Sequence, residues 1–297
     1  MPARPESADQ KFATVPMYGE RYVSLQKWAR AKGFDIDWQP SSREVKVNIS
    51  WAKMVFNLNS RRATINGNTV FLSSLVSASG DTVYISERDV FKLLHPILFP
   101  EYAARGKRVQ TIMIAPGHGG KDPGNTVNSH QEKKYTLLMS KVLKETLEGA
   151  GFKVLMTRDK DVFVDLSEQA AMANRAKVDL FITPHFNAVV DVSAKGIETY
   201  SLTPVGAKST NGSDPVSRSS GHANEFFSTL LAYKVHKHML MDTEFEDRGL
   251  RRANFQVLRE IDMPGILIEG GFLSNPYDAA KITSPVYRRK IARAITD

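Results

Sequence analysis

One segment of this 297-residue chain restricts its fold more than any other, and it runs from Thr111 to Glu132. It begins with the short apolar run TIMI and then passes through PGHGGKDPG, a Gly- and Pro-rich sequence that carries His118. An apolar run that stops at Pro and Gly is typical of a buried strand followed by a loop. Glycine on both sides of His118 lets the backbone adopt positive φ and approach an ion or substrate closely. We therefore predict a functional loop at this strand end and a helix that begins near Glu132.

The composition excludes several classes of protein. Hydrophobic residues make up 42% of the chain and charged residues 24%, which are globular values that exclude a disordered or fibrous protein. No run approaches the roughly 18 apolar residues of a membrane span, so we expect none. Cysteine is absent, and this excludes disulfides and Cys-based metal sites.

The net charge of +8 indicates anionic partners. Nucleic acid, acidic lipid and an anionic cell-wall polymer are all consistent with this charge. The basic residues are scattered, however, and no RRM, KH, zinc-finger or helix-turn-helix pattern is present. We therefore expect no nucleic-acid partner.

The pattern of elements divides the chain into two domains. Residues 1–16 are predicted to be a flexible leader, residues 17–100 a small α+β domain, residues 101–108 a linker, and residues 109–297 a larger domain. In the small domain, alternating segments such as EVKVNI predict antiparallel strands, with a helix at either end. In the large domain, strands alternate with helices, which predicts an α/β fold with a mainly parallel twisted sheet flanked by helices. Its last predicted elements are strands at Gln256–Leu258 and Gly265–Ile268 and a single helix from Asn275 to the end.

Four polar residues of the large domain follow or adjoin predicted strands. His118 follows TIMIAPG, His185 follows DLFITP, Glu269 follows GILI, and Glu132 opens the helix after the first strand. In parallel sheets, functional groups gather outside the carboxyl ends of the strands. Two His and one Glu form a plausible three-ligand zinc site, with the second Glu left as a base. The separations of 14 and 53 residues match no local metal motif, so the same residues are also consistent with hydrogen-bonding roles.

Other polar residues have simpler interpretations. His130 lies two residues from Glu132 and competes with it as a ligand. We expect His236 and His238 to be surface residues, because a spacing of two places them on different faces of a helix. Asp122 is expected to shape its turn. Glu198 is equally consistent with a group near the site and with a solvated residue, and the Arg residues at 251, 252 and 259 are expected on a solvated face.

The motifs of residues 109–297 carry a family resemblance. In order they are PGHGGKDPG, QEK, TRDKD, DLFITPHFNA, KGIETY and GILIEGGFLSN, and together they resemble the zinc-dependent N-acetylmuramoyl-L-alanine amidases of bacterial cell walls. The resemblance implies Zn²⁺ ligands at His118, Glu132 and His185 and a catalytic carboxylate at Glu269. It also implies hydrolysis of the amide bond between N-acetylmuramic acid and L-alanine in peptidoglycan.

The chain departs from the family pattern near two of these residues. Ala115 stands where the family usually carries Asp, and Thr183 and Pro184 stand where it carries a small polar and an aliphatic residue. Two alternatives therefore remain: a weakened or inactive peptidoglycan-binding protein of the same fold, and a zinc peptidase or deacetylase that acts on another amide. The implied substrate predicts a location outside the cytoplasm, in the periplasm or cell wall. Because the first residues contain no apolar signal segment, we expect that a signal peptide is not part of this sequence.

The N-terminal motifs carry a looser resemblance. YVSLQKWARAKGFDIDW, INGNTVFL and GDTVYISERDVFKLL resemble the small N-terminal domain of copper amine oxidases, which recurs in bacterial cell-surface proteins. The resemblance implies a structural or binding module, with the cell wall or another protein as its partner. Residues 17–100 contain a single His, His95, which we expect to be structural rather than a metal ligand.

Overall fold

The computed structural model describes residues 12–102, 108–212, 214–215 and 217–297. The chain divides into two compact units between Leu98 and Phe99. Most of the predicted leader (1–11) and most of the predicted linker (103–107) lie outside the described residues.

The small unit contains two antiparallel sheets. The first has the order β1-β2-β9-β8, and the second follows the chain from β3 to β7. Its strands are β1 (Thr14–Met17), β2 (Glu20–Ser24), β3 (Asp35–Asp37), β4 (Glu44–Ile49), β5 (Ala52–Asn57), β6 (Arg62–Ile65), β7 (Asn68–Phe71), β8 (Ser77–Ser79) and β9 (Thr82–Ser86). The alternating segments therefore form strands because they bury every second side chain, as Val45 and Val47 of β4 do.

Helices lie near both ends of this unit, as predicted. They are α1 (Leu25–Ala31), α2 (Glu87–Asp89) and α3 (His95–Leu98), and a π-helical turn joins α2 to α3. The side chain of Ser24 accepts a hydrogen bond from the backbone N–H of Lys27 and so caps α1. Trp28, on the buried face of α1, is fully enclosed and stacks on Phe34.

The large unit contains a six-stranded sheet with helices packed on it, which confirms the predicted fold class. The strand order is β13-β10-β14-β17-β15-β16, and every pair is parallel except β15 with β17. The strands are β10 (Thr111–Ile114), β13 (Lys153–Met156), β14 (Leu180–Asn187), β15 (Ile197–Leu202), β16 (Asp247–Ala253) and β17 (Gly265–Phe272), and the short strands β11 (Thr126–Val127) and β12 (His130–Gln131) form a separate hairpin.

Two groups of helices pack around the sheet. The first comprises α4 (Glu132–Gly149), α6 (Glu225–Asp242), α8 (Pro276–Thr283) and α9 (Pro285–Thr296), and the second comprises α5 (Leu166–Ala176) and α7 (Gln256–Glu260). The second group packs on a buried cluster that includes Met113, Phe181 and Leu267. Because side chains alternate along a strand, the residues at positions 183, 185 and 269 belong to this same face.

Three predicted elements are wrong in detail. The segment Gln256–Leu258 is predicted as a strand but belongs to helix α7. The strand before it is β16, which the sequence pattern did not predict because its sequence DRGLRRA is rich in charged residues. The single helix predicted from Asn275 onward is two helices, because Pro285 leaves Ser284 in an extended conformation. Strands β14 and β17 continue through His185 and Glu269, so both residues lie inside strands rather than beyond their ends.

Candidate active site

His118 lies in the Gly-rich loop after β10. Its backbone has a φ of 60°, and Gly119, Gly120 and Gly124 also have positive φ. Asp122 holds the ring of His118, because Nδ1 of His118 donates a hydrogen bond to Oδ2 of the Asp122 carboxylate at 2.7 Å. This bond leaves Nε2 directed toward Glu132, at 3.1 Å from Oε2. The sharp loop therefore presents one defined ring nitrogen to the interior of the site.

Glu132 is the first residue of α4 and is only 1% exposed. Its Oε2 accepts hydrogen bonds from the backbone and side-chain nitrogens of Asn125, and its Oε1 accepts one from the backbone of Phe186. A helix N-terminus favours a carboxylate, and these donors fix its orientation. Glu132 therefore presents a rigid anion between the Gly-rich loop and strand β14.

His185 completes the cluster from strand β14. Its Nδ1 lies 3.0 Å from Glu132 Oε1, and its ring centroid lies 5.1 Å from that of His118. Ligand atoms of His118, Glu132 and His185 all lie within 4.8 Å of one another. Zinc binds nitrogen and carboxylate oxygen at about 2.0–2.2 Å, so two imidazole nitrogens and one carboxylate at this spacing fit one such ion.

Two glycines create the space for this cluster. A Cβ on Gly117 would lie 2.3 Å from Cε1 of His185, and a Cβ on Gly124 would lie 2.6 Å from Cδ2 of His118. Any side chain at either position would displace the rings. The glycines of PGHGGKDPG therefore serve close approach of side chains as well as backbone conformation.

Glu269 lies beside the cluster on β17. It is the register partner of His185 on one side and of Glu198 on the other. Its Oε2 is buried and has no hydrogen-bond partner among the described residues. Burial, and then the charges of Glu132 and Glu198, raise the pKa of Glu269 well above its usual value. A buried carboxyl group with a raised pKa beside a metal-ligand cluster is typical of a group that transfers protons.

The electrostatics of the cluster couple its members. Burial alone would raise the pKa of Glu132, but its hydrogen bonds to His118 and His185 outweigh burial and hold that pKa far below its usual value. Burial likewise opposes the charge on His118, whereas Glu132 and then Asp122 raise its pKa to about 9. The site therefore stabilises positive charge between its carboxylates, as a cation site must.

A cleft of about 440 Å³ opens onto these residues. His118, His185 and Glu269 line its polar side, and Phe163, Leu166 and Phe255 line its apolar side. Phe163 is 42% exposed and Leu166 is 44% exposed. A mostly apolar cleft with a few convergent polar groups is the usual form of a substrate site.

The structure assigns roles that the sequence analysis missed. Asp122 holds His118 as well as shaping the turn, and Asn125 orients Glu132. The spacing of four residues between His118 and Asp122 in a Gly-rich loop was the available signal. Ala115 is fully buried in the apolar cluster beneath α5 and α7, and Pro184 pairs with Ile268 inside β14. The departures from the family pattern at positions 115 and 184 therefore leave the contact between the Asp122 carboxylate and His118 in place.

Several residues considered in the sequence analysis lie elsewhere. His130 hydrogen-bonds the Tyr135 hydroxyl and does not join the cluster. The prediction that His236 is a surface residue is wrong, because it is fully buried between Thr199 and Asp247. Arg252 is also buried, with its Nη1 donating to Ser201 and Thr229. The space between β15 and α6 is therefore partly polar, which the apolar pattern of α6 did not reveal.

Two family models match the sequence, one in each part of the chain. The family described as N-acetylmuramoyl-L-alanine amidase matches residues 112–297, and the copper amine oxidase N-terminal domain matches residues 6–94. The amidase AmiC of Neisseria meningitidis is 34% identical over 216 residues, which cover 64% of this chain and 52% of that protein. A sporulation-specific N-acetylmuramoyl-L-alanine amidase of Bacillus subtilis is 35% identical over 184 residues, which cover 61% of this chain and 64% of that protein. The chain thus spans between half and two thirds of the length of these relatives.

Solved structures match the same part of the chain. The amidase AmiC2 of Nostoc punctiforme is 31% identical with a TM-score of 0.53, covering 64% of this chain and 95% of that one. An amidase of Clostridium difficile 630 is 32% identical with the same TM-score, covering 64% of this chain and 94% of that one. None of the helices within the described ranges has the length and apolar character that crossing a bilayer requires.

Proposed function

Because the chain belongs to the N-acetylmuramoyl-L-alanine amidase family, we propose that it hydrolyses the amide bond between N-acetylmuramic acid and L-alanine in peptidoglycan, with a zinc ion held by His118, Glu132 and His185. The observation that carries this proposal is the convergence of two imidazoles and one buried carboxylate beside a second buried carboxyl group. A zinc ion bound there would polarise the amide carbonyl and acidify water.

The residues around the ligands prepare them for this task. Asp122 accepts a hydrogen bond from Nδ1 of His118, and this contact would keep that proton in place while Nε2 gives its lone pair to a metal. Asn125 and the backbone of Phe186 orient the two oxygens of Glu132. Loss of such supporting contacts typically costs 10- to 100-fold in metal affinity or activity.

Glu269 transfers the proton in this mechanism. It takes a proton from the attacking water as the water oxygen bonds to the carbonyl carbon. It then donates that proton to the departing nitrogen of L-alanine as the C–N bond breaks. The products are a lactyl carboxylate on the glycan and a peptide with a free amino group. Burial and the neighbouring charges of Glu132 and Glu198 raise the pKa of Glu269. The raised pKa suits this carboxyl group to hold the proton between the two steps.

The composition and the other unit fit the same proposal. A net charge of +8 favours approach to an anionic wall polymer. The small unit contributes a binding module for the wall or for a protein partner. The substrate requires that the protein acts outside the cytoplasm, in the periplasm or cell wall.

Digestion of purified sacculi tests the proposal. We expect mass spectrometry to detect stem peptides with a free L-alanine amino group, and we expect the Glu269→Gln variant to release none. Binding to sacculi without cleavage by the intact protein would support the alternative of an inactive binding protein. Removal of acetyl groups or cleavage within the peptide would support the alternative of a deacetylase or peptidase.

A further inference from the structure

A row of polar side chains extends beyond the candidate metal site across the sheet. His185 on β14 pairs in register with Glu269 on β17, and Glu269 pairs in register with Glu198 on β15. Register partners project from the same face of a sheet. Glu198 therefore lies on the cleft side of the sheet, one strand farther from the cluster than Glu269.

Glu198 is 3% exposed and anchors two guanidinium groups. Its Oε1 accepts a hydrogen bond from Arg248 Nε at 2.8 Å and lies 3.4 Å from Arg251 Nε. Its Oε2 accepts one from the Tyr200 hydroxyl at 2.7 Å. Glu198 carries one negative charge, and Arg248 and Arg251 carry two positive charges. The three side chains therefore have a net formal charge of +1.

Arg248 is held in a single orientation yet remains accessible. Its Nε bonds Glu198, and its guanidinium carbon lies 4.7 Å from the ring centroid of the buried Phe272. The side chain is nevertheless 33% exposed. A guanidinium fixed in this way presents its outer N–H groups with little entropy left to lose, and such a group suits a carboxylate.

We propose that Arg248, supported by Glu198 and Arg251, binds the α-carboxylate of the second residue of the stem peptide. This inference rests on the proposed function. The charged groups near the scissile amide of this substrate are peptide carboxylates, whereas its sugar side is neutral. Glu198 lies one strand from Glu269, and neighbouring strands are about 4.8 Å apart. Because the Arg248 guanidinium bonds Glu198, it lies roughly 5–10 Å from Glu269. Two extended residues span at most about 7 Å, which places the second residue within reach.

Two N-acetylmuramoyl dipeptides test this proposal. Both contain L-alanyl-D-glutamate γ-methylamide, one with a free α-carboxylate and the other with an α-carboxamide. Binding is measured by calorimetry with the intact Glu269→Gln chain, so that neither ligand is consumed. We expect about 10- to 100-fold tighter binding of the carboxylate, as for a charge-assisted hydrogen bond. Adding Arg248→Gln should abolish this ratio, and Arg248→Lys should retain part of it.

Arg175→Gln is the matched control, because Arg175 forms an exposed ion pair with Glu168 on α5. It should leave the ratio unchanged. Equal affinity for both dipeptides in the Arg248-containing chain would overturn the proposal. So would an Arg248→Gln variant that weakens both dipeptides equally, because Arg248 would then only position Glu198. Cleavage of sacculi by the unmodified chain tests the proposed function separately, so the two failures are distinguishable.

Discussion

His185 and Glu269 are register partners on the adjacent parallel strands β14 and β17. Their side chains therefore project from the same face, on neighbouring backbones about 4.8 Å apart. A candidate metal ligand and a candidate proton-transfer group are thus held at a fixed separation by a sheet ladder rather than by loops. General acid-base catalysis beside a metal requires such a fixed separation between the metal ligand and the proton-transfer group.

Replacing Glu269 with Gln should remove catalysis without removing metal. Gln keeps the shape of the side chain but cannot accept a proton, so we expect cleavage to fall about 10²- to 10⁴-fold. Zinc content should stay unchanged, and the unfolding temperature should not fall, because Oε2 of Glu269 has no hydrogen-bond partner to lose among the described residues. Release of stem peptides and metal analysis measure the two effects. Full activity of the variant would contradict the role given to Glu269.

Replacing Asp122 with Ala should weaken metal binding. The ring of His118 would lose the hydrogen bond that fixes its orientation, so we expect zinc affinity to fall about 10- to 100-fold. Competition with a chromophoric chelator measures this affinity. Asp191→Asn is the control, because Asp191 is exposed and its side chain bonds only Ser193 in the described contacts. Equal affinity in both variants would show that Asp122 only shapes the turn.

Replacing Gly117 with Ala should also damage the site. The new Cβ would lie 2.3 Å from the His185 ring, and the ring would have to move from its present position. We expect loss of zinc affinity and of cleavage. Gly149→Ala is the matched control at the end of α4, where a Cβ meets no atom of the described residues within 4 Å. That change should keep zinc binding and stabilise the protein by about 0.5–1 kcal/mol in thermal unfolding.

The stability of the small unit should depend on the protonation of His95. Burial, and to a lesser degree Lys32, lowers the pKa of His95 to about 4 in the folded protein, whereas the unfolded value is about 6.5. The unfolded state therefore binds the proton more tightly. This contribution to stability is complete above about pH 6.5 and is lost as the pH falls toward 4, by about 2–3 kcal/mol.

Urea unfolding at pH 7.5 and pH 4.5 measures this loss. All three Trp residues of the chain lie between positions 28 and 51, so tryptophan fluorescence reports the small unit. His95→Gln keeps an acceptor for the indole N–H of Trp28 but does not titrate. Its stability should change less over the same interval. An identical pH dependence in both proteins would contradict the assignment.

The sequence predicted the parts of this protein that depend on local pattern. The helix expected to begin near Glu132 begins there, because the apolar spacing and the polar start are local signals. Strand β16 was missed because its Arg residues suggested a solvated segment, although Arg252 is buried against partners on β15 and α6. Such burial depends on distant residues, which no local pattern contains.

The candidate site was predictable in its residue types and less so in its supporting contacts. Strand-end reasoning selected His118, Glu132, His185 and Glu269, and the structure brings all four to one cleft. It stopped β14 and β17 too early, because Pro184 and the glycines after Glu269 resemble strand ends. The contact from Asp122 to His118 depends on positive φ at His118 and its neighbours, which residue spacing alone does not determine.

Zinc stoichiometry tests the central claim most directly. The intact chain is stripped with chelator, reloaded with zinc, freed of excess metal and analysed by atomic emission. We predict about one zinc ion per chain in the unmodified protein and in Glu269→Gln, and almost none in folded His118→Ala or His185→Ala. An unmodified chain that retains no zinc would contradict the claim that these residues hold a single metal ion. So would a His118→Ala or His185→Ala variant that retains one zinc ion per chain.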